Sequence, residues 1–465
     1  MRRTLLLILC SALLTSCGKP QPPTILEAIK QSGELIVVTR NSATTYYEGP
    51  QGMTGLEYDL ARLFADRLGV ELQIIVPGSF TDVLPTVISG KAHLAAAALT
   101  VTDTRQQRVR FGPPYQAITP QLIYRIGTEV PRNLDELSGQ LEVVKGSSHA
   151  ERLRELKEEY PHLTWTENDT LESEQLVALV WEQVIDYTIA NSNEASILQR
   201  YYPELRVAFG INSPTSLAWA LPRGEDDSLY KEVEKFFEEI HADGTLAQLL
   251  DRHYGHVQDF DYVGTRRYLA HIESRLPDYA PTFRKAAEET GMDWRMLAAI
   301  GYQESHWNPE AKSPTGVRGI MMLTRDTMRQ LGLEERLTPE NSIIGGARYI
   351  NLMKGKIPKR IPEPDRTWLA LAAYNIGFGH LEDARILTQQ QGGDPDKWVD
   401  VQRHLPLLSE KKWYKQTRHG YARGREPVRY VENVRSYYDI LVWYTESDTP
   451  PTAEMPRIPN ILPAL

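Results

Sequence analysis

Two hydrophobic rhythms divide this chain. Between residues 30 and 256, short β-rich apolar runs alternate with stretches whose apolar positions recur at helical spacing, which predicts an α/β domain. Glu34–Thr39 reads as a first strand and Gly55–Gly69 as a helix stopped by glycine. Leu72–Val76 is the next strand, Phe80–Ser89 a helix, Leu94–Leu99 a buried strand and Leu141–Val144 another strand. Tyr230–Gly255 is expected to close the domain as one helix, with Phe236, Phe237, Ile240, Leu246, Leu249 and Leu250 on its apolar side. His256–Thr265 then reads as a boundary. From Arg266 onward the pattern is helix after helix, over 267–275, 278–290, 294–305, 324–331, 342–354, 366–375, 378–388, 397–404 and 428–445. The spacing therefore predicts a two-lobed α/β domain followed by a compact all-α domain. Gly345-Gly346, within one of those helices, would let a neighbour approach closely.

The first residues obey neither rhythm. Arg2 and Arg3 precede an apolar run from Leu5 to Leu14, with the length and flanks of a secretory signal peptide over 1–16. Leu14-Thr15-Ser16-Cys17 resembles a bacterial lipobox, which implies cleavage before Cys17 and lipid on its sulfur. Residues 17–29 then form the lipidated cysteine and tether, 30–256 the first domain, 257–267 a linker, 268–448 the helical domain and 449–465 a Pro-rich tail. By the same resemblance, Gly18 instead of Asp after the cysteine implies passage to the outer membrane, at its periplasmic face. Of the two cysteines, Cys10 lies in the segment removed, so the mature chain has no thiol pair for a disulfide or a metal. The net charge of −9 argues against nucleic acid as a partner. His306, His380 and His419 have no ligand spacing, and no Gly-rich phosphate loop occurs, so neither a metal nor a cofactor is expected.

The richest chemistry lies around Glu304. Asp293 sits at an N-cap position and Pro309 stops continuation, so Trp294–Ser305 reads as a short helix. Leu297, Ile300 and Gly301 precede Glu304 by helical steps, which puts its carboxyl on the apolar face. Desolvation there favours the protonated form, and such a group can give a proton to a leaving oxygen near neutral pH. A glutamate turned back to solvent at the helix end is the other reading of the same spacing.

The series Glu304-Ser305, Ser313, Gly319-Ile320-Met321-Met322, Ala373-Tyr374-Asn375 and Tyr430 resembles the catalytic domain of the family 1 lytic transglycosylases, the goose-lysozyme-like enzymes of bacterial cell-wall turnover. Met322 stands where many relatives have Gln. The resemblance implies a murein lyase that cleaves the MurNAc–GlcNAc bond of peptidoglycan and leaves a 1,6-anhydromuramic end. It implies Glu304 as the single acid, then base, in place of the carboxylate pair of ordinary retaining glycosidases. By the same resemblance Ser313 positions substrate or steadies Glu304, Tyr374 and Asn375 hold the acetamido sugar, Met321 touches its apolar side and Tyr430 tunes Glu304. A glycan-binding sensor without catalysis and a water-using lysozyme remain as other readings.

In the first domain, Thr102-Asp103-Thr104-Arg105 and Phe111-Gly112-Pro113-Pro114-Tyr115 resemble the periplasmic solute-binding proteins for polar amino acids. That family implies two lobes closing on a ligand, with Arg105 paired to a ligand carboxylate; a surface arginine in a loop is the other reading of that residue. Ser147 and Ser148, at a helix start, would offer backbone N–H groups to the same carboxylate, or simply cap the helix. Asn191 falls where the family has an Asp that accepts the ligand's amino group. Asn is neutral and lacks the strongest interaction with an ammonium, although Glu194 is near enough in sequence to substitute, so a peptide or muropeptide stands beside a free amino acid as the expected ligand, with the domain acting as a sensor that regulates the catalytic one. A last pattern interleaves Trp413, Tyr414 and Tyr421 with Lys411, Lys412, Lys415, Arg418, Arg423 and Arg425, either a solvated basic loop or a surface for sugar rings and wall carboxylates.

Overall fold

The computed structural model describes residues 22–49, 52–256, 262–313, 316–333 and 338–446. The signal segment, Cys17 and the tail from 449 lie outside the described residues.

Residues 22–256 form two lobes, each around a five-stranded sheet. In the first, the spatial order is Glu71–Ile75, Glu34–Val38, Leu94–Ala95, Ala220–Pro222 and Val109–Phe111, with the first three parallel and Ala220–Pro222 antiparallel to its neighbours. The helix Leu56–Leu68 covers this sheet through Leu56, Leu60 and Phe64, one helical face of fully buried side chains. Gly69 ends it in the left-handed conformation at φ 71°, its N–H returning to Ala65 and Asp66. The second sheet runs Thr166–Asn168, Leu141–Val144, Tyr187–Asn191, Pro120–Arg125 and Leu205–Gly210. Gln116–Ile118 and Thr215–Leu217 pair antiparallel and carry the chain between the lobes.

Two expectations need correction here. The strand foreseen over Leu94–Leu99 stops at Ala95. Ala98 turns to φ 50° and gives its N–H to the buried carboxylate of Glu57 at 2.6 Å, so the run leaves the sheet to satisfy an acid. The single helix foreseen over Tyr230–Gly255 is three pieces: Ser228–Ala242, Thr245–Leu250 and a π-helical turn at Asp251–Gly255. Gly244, at φ 77°, breaks the first from the second.

Among the described residues, the named elements of the second half are all helices, from Tyr262–Ser274 to Arg425–Glu446, joined by loops and one isolated bridge between Lys312 and Arg318. Residues 262–267 of the expected linker already belong to the first of these helices. Trp294–Ser305, here called the acid helix, has the bounds read from sequence, and Asp293 caps it by accepting from Arg295 N. It lies between Leu276–Thr290 and the last helix, Arg425–Glu446. Close packing depends on two glycines. A Cβ on Gly301 would lie 2.9 Å from Phe283, and one on Gly346 would lie 2.6 Å from Met321.

The last helix also meets the first domain. Arg200 Nη1 reaches Asp439 at 3.1 Å, and the His256 ring lies 2.5 Å from the same carboxylate. Arg435 donates to the carbonyls of Asp251 and Arg252 in the π-helical turn. Trp443 packs on Tyr201 and Tyr202, with centroids 5.2 and 6.1 Å away.

Candidate active site

Glu304 occupies the last turn of the acid helix, and its carboxyl meets the last helix. Tyr430 donates its hydroxyl to Glu304 Oε1 at 2.7 Å. Two turns further along the last helix, Tyr438 donates to the N-cap carboxylate of Asp293 at 2.9 Å. The two helices are thus pinned at both ends of the acid helix, and the proton-bearing group cannot move independently of Tyr430. Ser305, the next residue, donates to Ile320 O at 2.9 Å and ties the helix end to the Gly319–Met322 turn. Ser342 Oγ accepts from Met321 N at 3.0 Å and holds that turn from the far side.

Glu304 is half-buried, and loss of water contact raises its pKa to about 7, with the Tyr430 hydrogen bond pulling the other way. No charged group contributes to that shift. The hydroxyls of Tyr430 and Tyr374 are both pushed well up by burial and by the neighbouring carboxyl, so they stay protonated donors. Their rings lie nearly parallel, 6.3 Å apart, and Tyr349 meets the edge of Tyr374 at 5.2 Å. Tyr349 was not singled out in sequence, and no motif there marks it.

The remaining expected residues fall as follows. Tyr374 donates its hydroxyl to Met321 O at 2.8 Å, so it braces the turn opposite Glu304. Asn375 is exposed at the end of the same helix. Ser313 Oγ accepts from Val317 N at 3.0 Å and closes the loop between the acid helix and that turn. The Met321 side chain is fully buried on Gly346, and so does not present an apolar face to a sugar. Its carbonyl, through Tyr374, is what it lends to the site.

The cleft of the first domain differs more from expectation. Arg105 lies in a short helix, Asp103–Gln106, and is 3% exposed. Its fork is occupied by the chain itself: Nε donates to Glu151 at 2.9 Å, Nη1 to Thr100 O at 3.3 Å and Nη2 to Gly146 O at 3.1 Å. A ligand carboxylate must therefore displace Glu151. Ser147 caps its helix by accepting from Ala150 N, and Ser148 Oγ donates to Thr100 Oγ1 at 3.1 Å. Asn191 shares a 3.0 Å hydrogen bond with His149. Sequence reading missed Arg40, which crosses from the first lobe to Glu194 at 2.7 Å and Glu172 at 3.2 Å on the second. Nearby Glu174 takes the Ala43 N–H, and burial raises its pKa to about 7.

Comparison with known proteins matches both halves. Residues 35–256 match the bacterial extracellular solute-binding proteins, family 3, and residues 281–397 match the transglycosylase SLT domain. Membrane-bound lytic murein transglycosylase F 1 of Alkalilimnicola ehrlichii is 54% identical over 92% of this chain and 87% of its own length. Membrane-bound lytic murein transglycosylase F of Saccharophagus degradans is 50% identical over 90% of this chain and 84% of its own. Among solved structures, a mutant of ArgBP from T. maritima matches at 22% identity and TM-score 0.45, covering 50% of this chain and 99% of that one. An amino acid ABC transporter substrate-binding protein of Streptococcus pneumoniae bound to L-arginine matches at 24% identity and TM-score 0.44, covering 50% and 100%.

Proposed function

The chain belongs to the membrane-bound lytic murein transglycosylase F family, and from that premise we propose that Glu304 alone carries its cleavage of peptidoglycan. The observation that carries the proposal is the half-buried carboxyl, held near neutrality by desolvation and bonded, among the described residues, only to the Tyr430 hydroxyl. At pH 7 such a group is present in both protonation states, which is what a donor that must become an acceptor needs.

In the first step, protonated Glu304 gives its proton to the oxygen between N-acetylmuramic acid and N-acetylglucosamine. The C–O bond to the anomeric carbon breaks, and the positive charge there is met by the sugar's acetamido oxygen or by nearby dipoles. Tyr430 stabilises the carboxylate that forms. In the second step Glu304 takes the proton of the muramic C6 hydroxyl, whose oxygen bonds to the anomeric carbon. The product is the 1,6-anhydro end, and no water enters. The attacking hydroxyl is tethered in the same sugar, so its effective concentration is high. Asn375, exposed beside Tyr374, and Ser313 hold the strand, while Met321 acts through its carbonyl. Glu304→Gln keeps the shape and removes the proton. It is expected to abolish release of anhydromuropeptides from purified sacculi, and substantial turnover in that variant would remove Glu304 from the mechanism. Mass spectrometry of the wild-type product separates this route from hydrolysis, because the anhydro end is lighter by one water.

The membrane attachment fits lipid on Cys17 at the periplasmic face of the outer membrane, since no described helix is long and apolar enough to cross a bilayer. The domain division at residues 256–268, with the first domain as a ligand-responsive regulator, is part of the same reading. Its cleft offers buried acids to an amino group and Arg105 to a carboxylate, at the cost of the Glu151 pair. Calorimetry with amino acids and with stem peptides tests it, and no heat from either would count against a ligand of this kind.

A further inference from the structure

The segment that follows the helix Trp398–His404 and runs into the first turns of the last helix contains a concentration of charge that the mechanism does not use. Residues 411–429 hold seven cations, Lys411, Lys412, Lys415, Arg418, Arg423, Arg425 and Arg429, against one acid, Glu426. The stretch is thus net +6 in a chain that is net −9, so everything else sums to −15. All seven cations are exposed. Among the described residues only Arg423 has a carboxylate partner, Glu426 at 3.1 Å. Lys412 lies over the Trp413 ring at 4.6 Å.

This is a built surface. Asp383 accepts from the backbone N–H of Arg418 at 3.1 Å and of His419 at 2.8 Å. Ala422 N donates to Leu408 O at 3.0 Å, and Tyr414 meets Tyr421 edge-on at 5.6 Å. The anchors tie it to the elements of the cleft from two sides. His419 packs on Gly379, where a Cβ would lie 2.7 Å from the ring, and Gly379 stands in the first turn of the helix Phe378–Gln390, four residues beyond Asn375 and across the break at Gly377. The other end runs straight into the last helix, where Arg425 stands about 7.5 Å along the axis from Tyr430. Like charges gathered along one short segment repel one another, and among the described residues Glu426 is the acid that pairs with any of them.

We propose that residues 411–429 form a rim that binds the carboxylates of the peptide side chains on the glycan strand being cut, so that strands bearing free peptide carboxylates are preferred. The proposal rests on Glu304 as the acid that cuts this same strand. The occupant follows from charge and place. Arg425 and Arg429 precede Tyr430 on its own helix, His419 joins the segment to the helix that follows Asn375, and the polymer cut at Glu304 carries its negative groups on peptides that project from the sugar backbone. Several exposed cations acting together give affinity and salt dependence, although each pair alone contributes little.

The test uses the full chain and the triple variant Lys411→Gln, Lys412→Gln, Lys415→Gln, with Arg418→Gln as a second variant. None of these residues is buried or bonded in a way the fold requires. Each protein is given native sacculi and sacculi whose carboxylates have been amidated, and both co-sedimentation and anhydromuropeptide release are measured. On native sacculi the triple variant is expected to lose about tenfold in kcat/KM and binding, and Arg418→Gln less. Wild type on amidated sacculi is expected to fall to the level of the variant, which itself should be indifferent to amidation. Wild type indifferent to amidation overturns the rim, as does a variant that loses equally on both substrates. A variant that loses only its binding to phosphatidylglycerol vesicles also overturns it, in favour of a membrane contact. If wild type releases no anhydro product, the acid assignment fails while co-sedimentation still decides the rim.

Discussion

The Tyr430–Glu304 hydrogen bond makes a prediction whose two halves are linked. Tyr430→Phe keeps the ring and removes the donor at 2.7 Å from Oε1. That bond favours the carboxylate, so its loss raises the pKa of Glu304 above its value of about 7. A hydrogen bond to a charged group contributes about 1.5–3 kcal/mol, and water reaching a half-buried carboxyl recovers part of it, which leaves a shift of about one unit. The first chemical step needs the protonated acid, so the alkaline limb of kcat/KM should move from about pH 7 to about pH 8. The acid-side plateau should fall by about tenfold, because the carboxylate forming in the transition state has lost the same bond. The two curves should therefore meet above pH 8. There Glu304 is already ionised before the reaction, and the bond is missing equally from start and transition state. The assay is release of soluble anhydromuropeptides from sacculi between pH 5 and 9, with circular dichroism to check the fold. A lowered plateau with an unmoved limb would place Tyr430 on the substrate rather than on the acid. A limb displaced to lower pH would refute the electrostatic argument.

Two further outcomes follow from buried acids. Glu304→Gln should stabilise the protein as pH rises: a folded pKa of about 7 against an ordinary 4.5 means the native state binds more protons than the unfolded one across that window, so wild type loses stability between pH 4.5 and 7. Thermal melts of the two proteins should coincide near pH 4 and differ by at most about 3 kcal/mol at pH 8, and a constant gap across pH would contradict the shift. Arg40→Met should cost about 3–5 kcal/mol, since Glu172 and Glu194 lose their buried partner and Glu174 already sits near 7. The cost should grow from pH 5 to pH 8, because unpaired glutamates hold protons in the folded state that they release on unfolding, and urea melts with no pH trend would speak against it.

Local signals were legible and distant pairings were not. The bounds of the acid helix followed from Asp293 and Pro309, and the strand–helix–glycine order of the first domain followed from period and caps. The early end of the strand at Ala95 was invisible, because its cause is a hydrogen bond to Glu57, about forty residues earlier in a helix. Arg105 was legible as a fork for a carboxylate, but neither its burial nor its filling by the chain's own groups was. Which of the chain's acids meets it is settled by the closure of two lobes, and Glu151 carries no mark of that role. Met321 sat in a recognisable turn, yet the side chain's direction depends on the bare backbone of Gly346 across the core.

The shared last helix complicates an obvious experiment. Excising residues 30–256 to ask whether the first domain governs catalysis would strip Arg200, the π-helical turn and both tyrosines from Asp439, Arg435 and Trp443. Bare charges and an indole would then face water on the very rod that steadies the acid. A truncated enzyme that clumps or works poorly would thus report a wounded scaffold and say nothing about signalling. Single substitutions in the cleft, made in the intact chain, are the cleaner question.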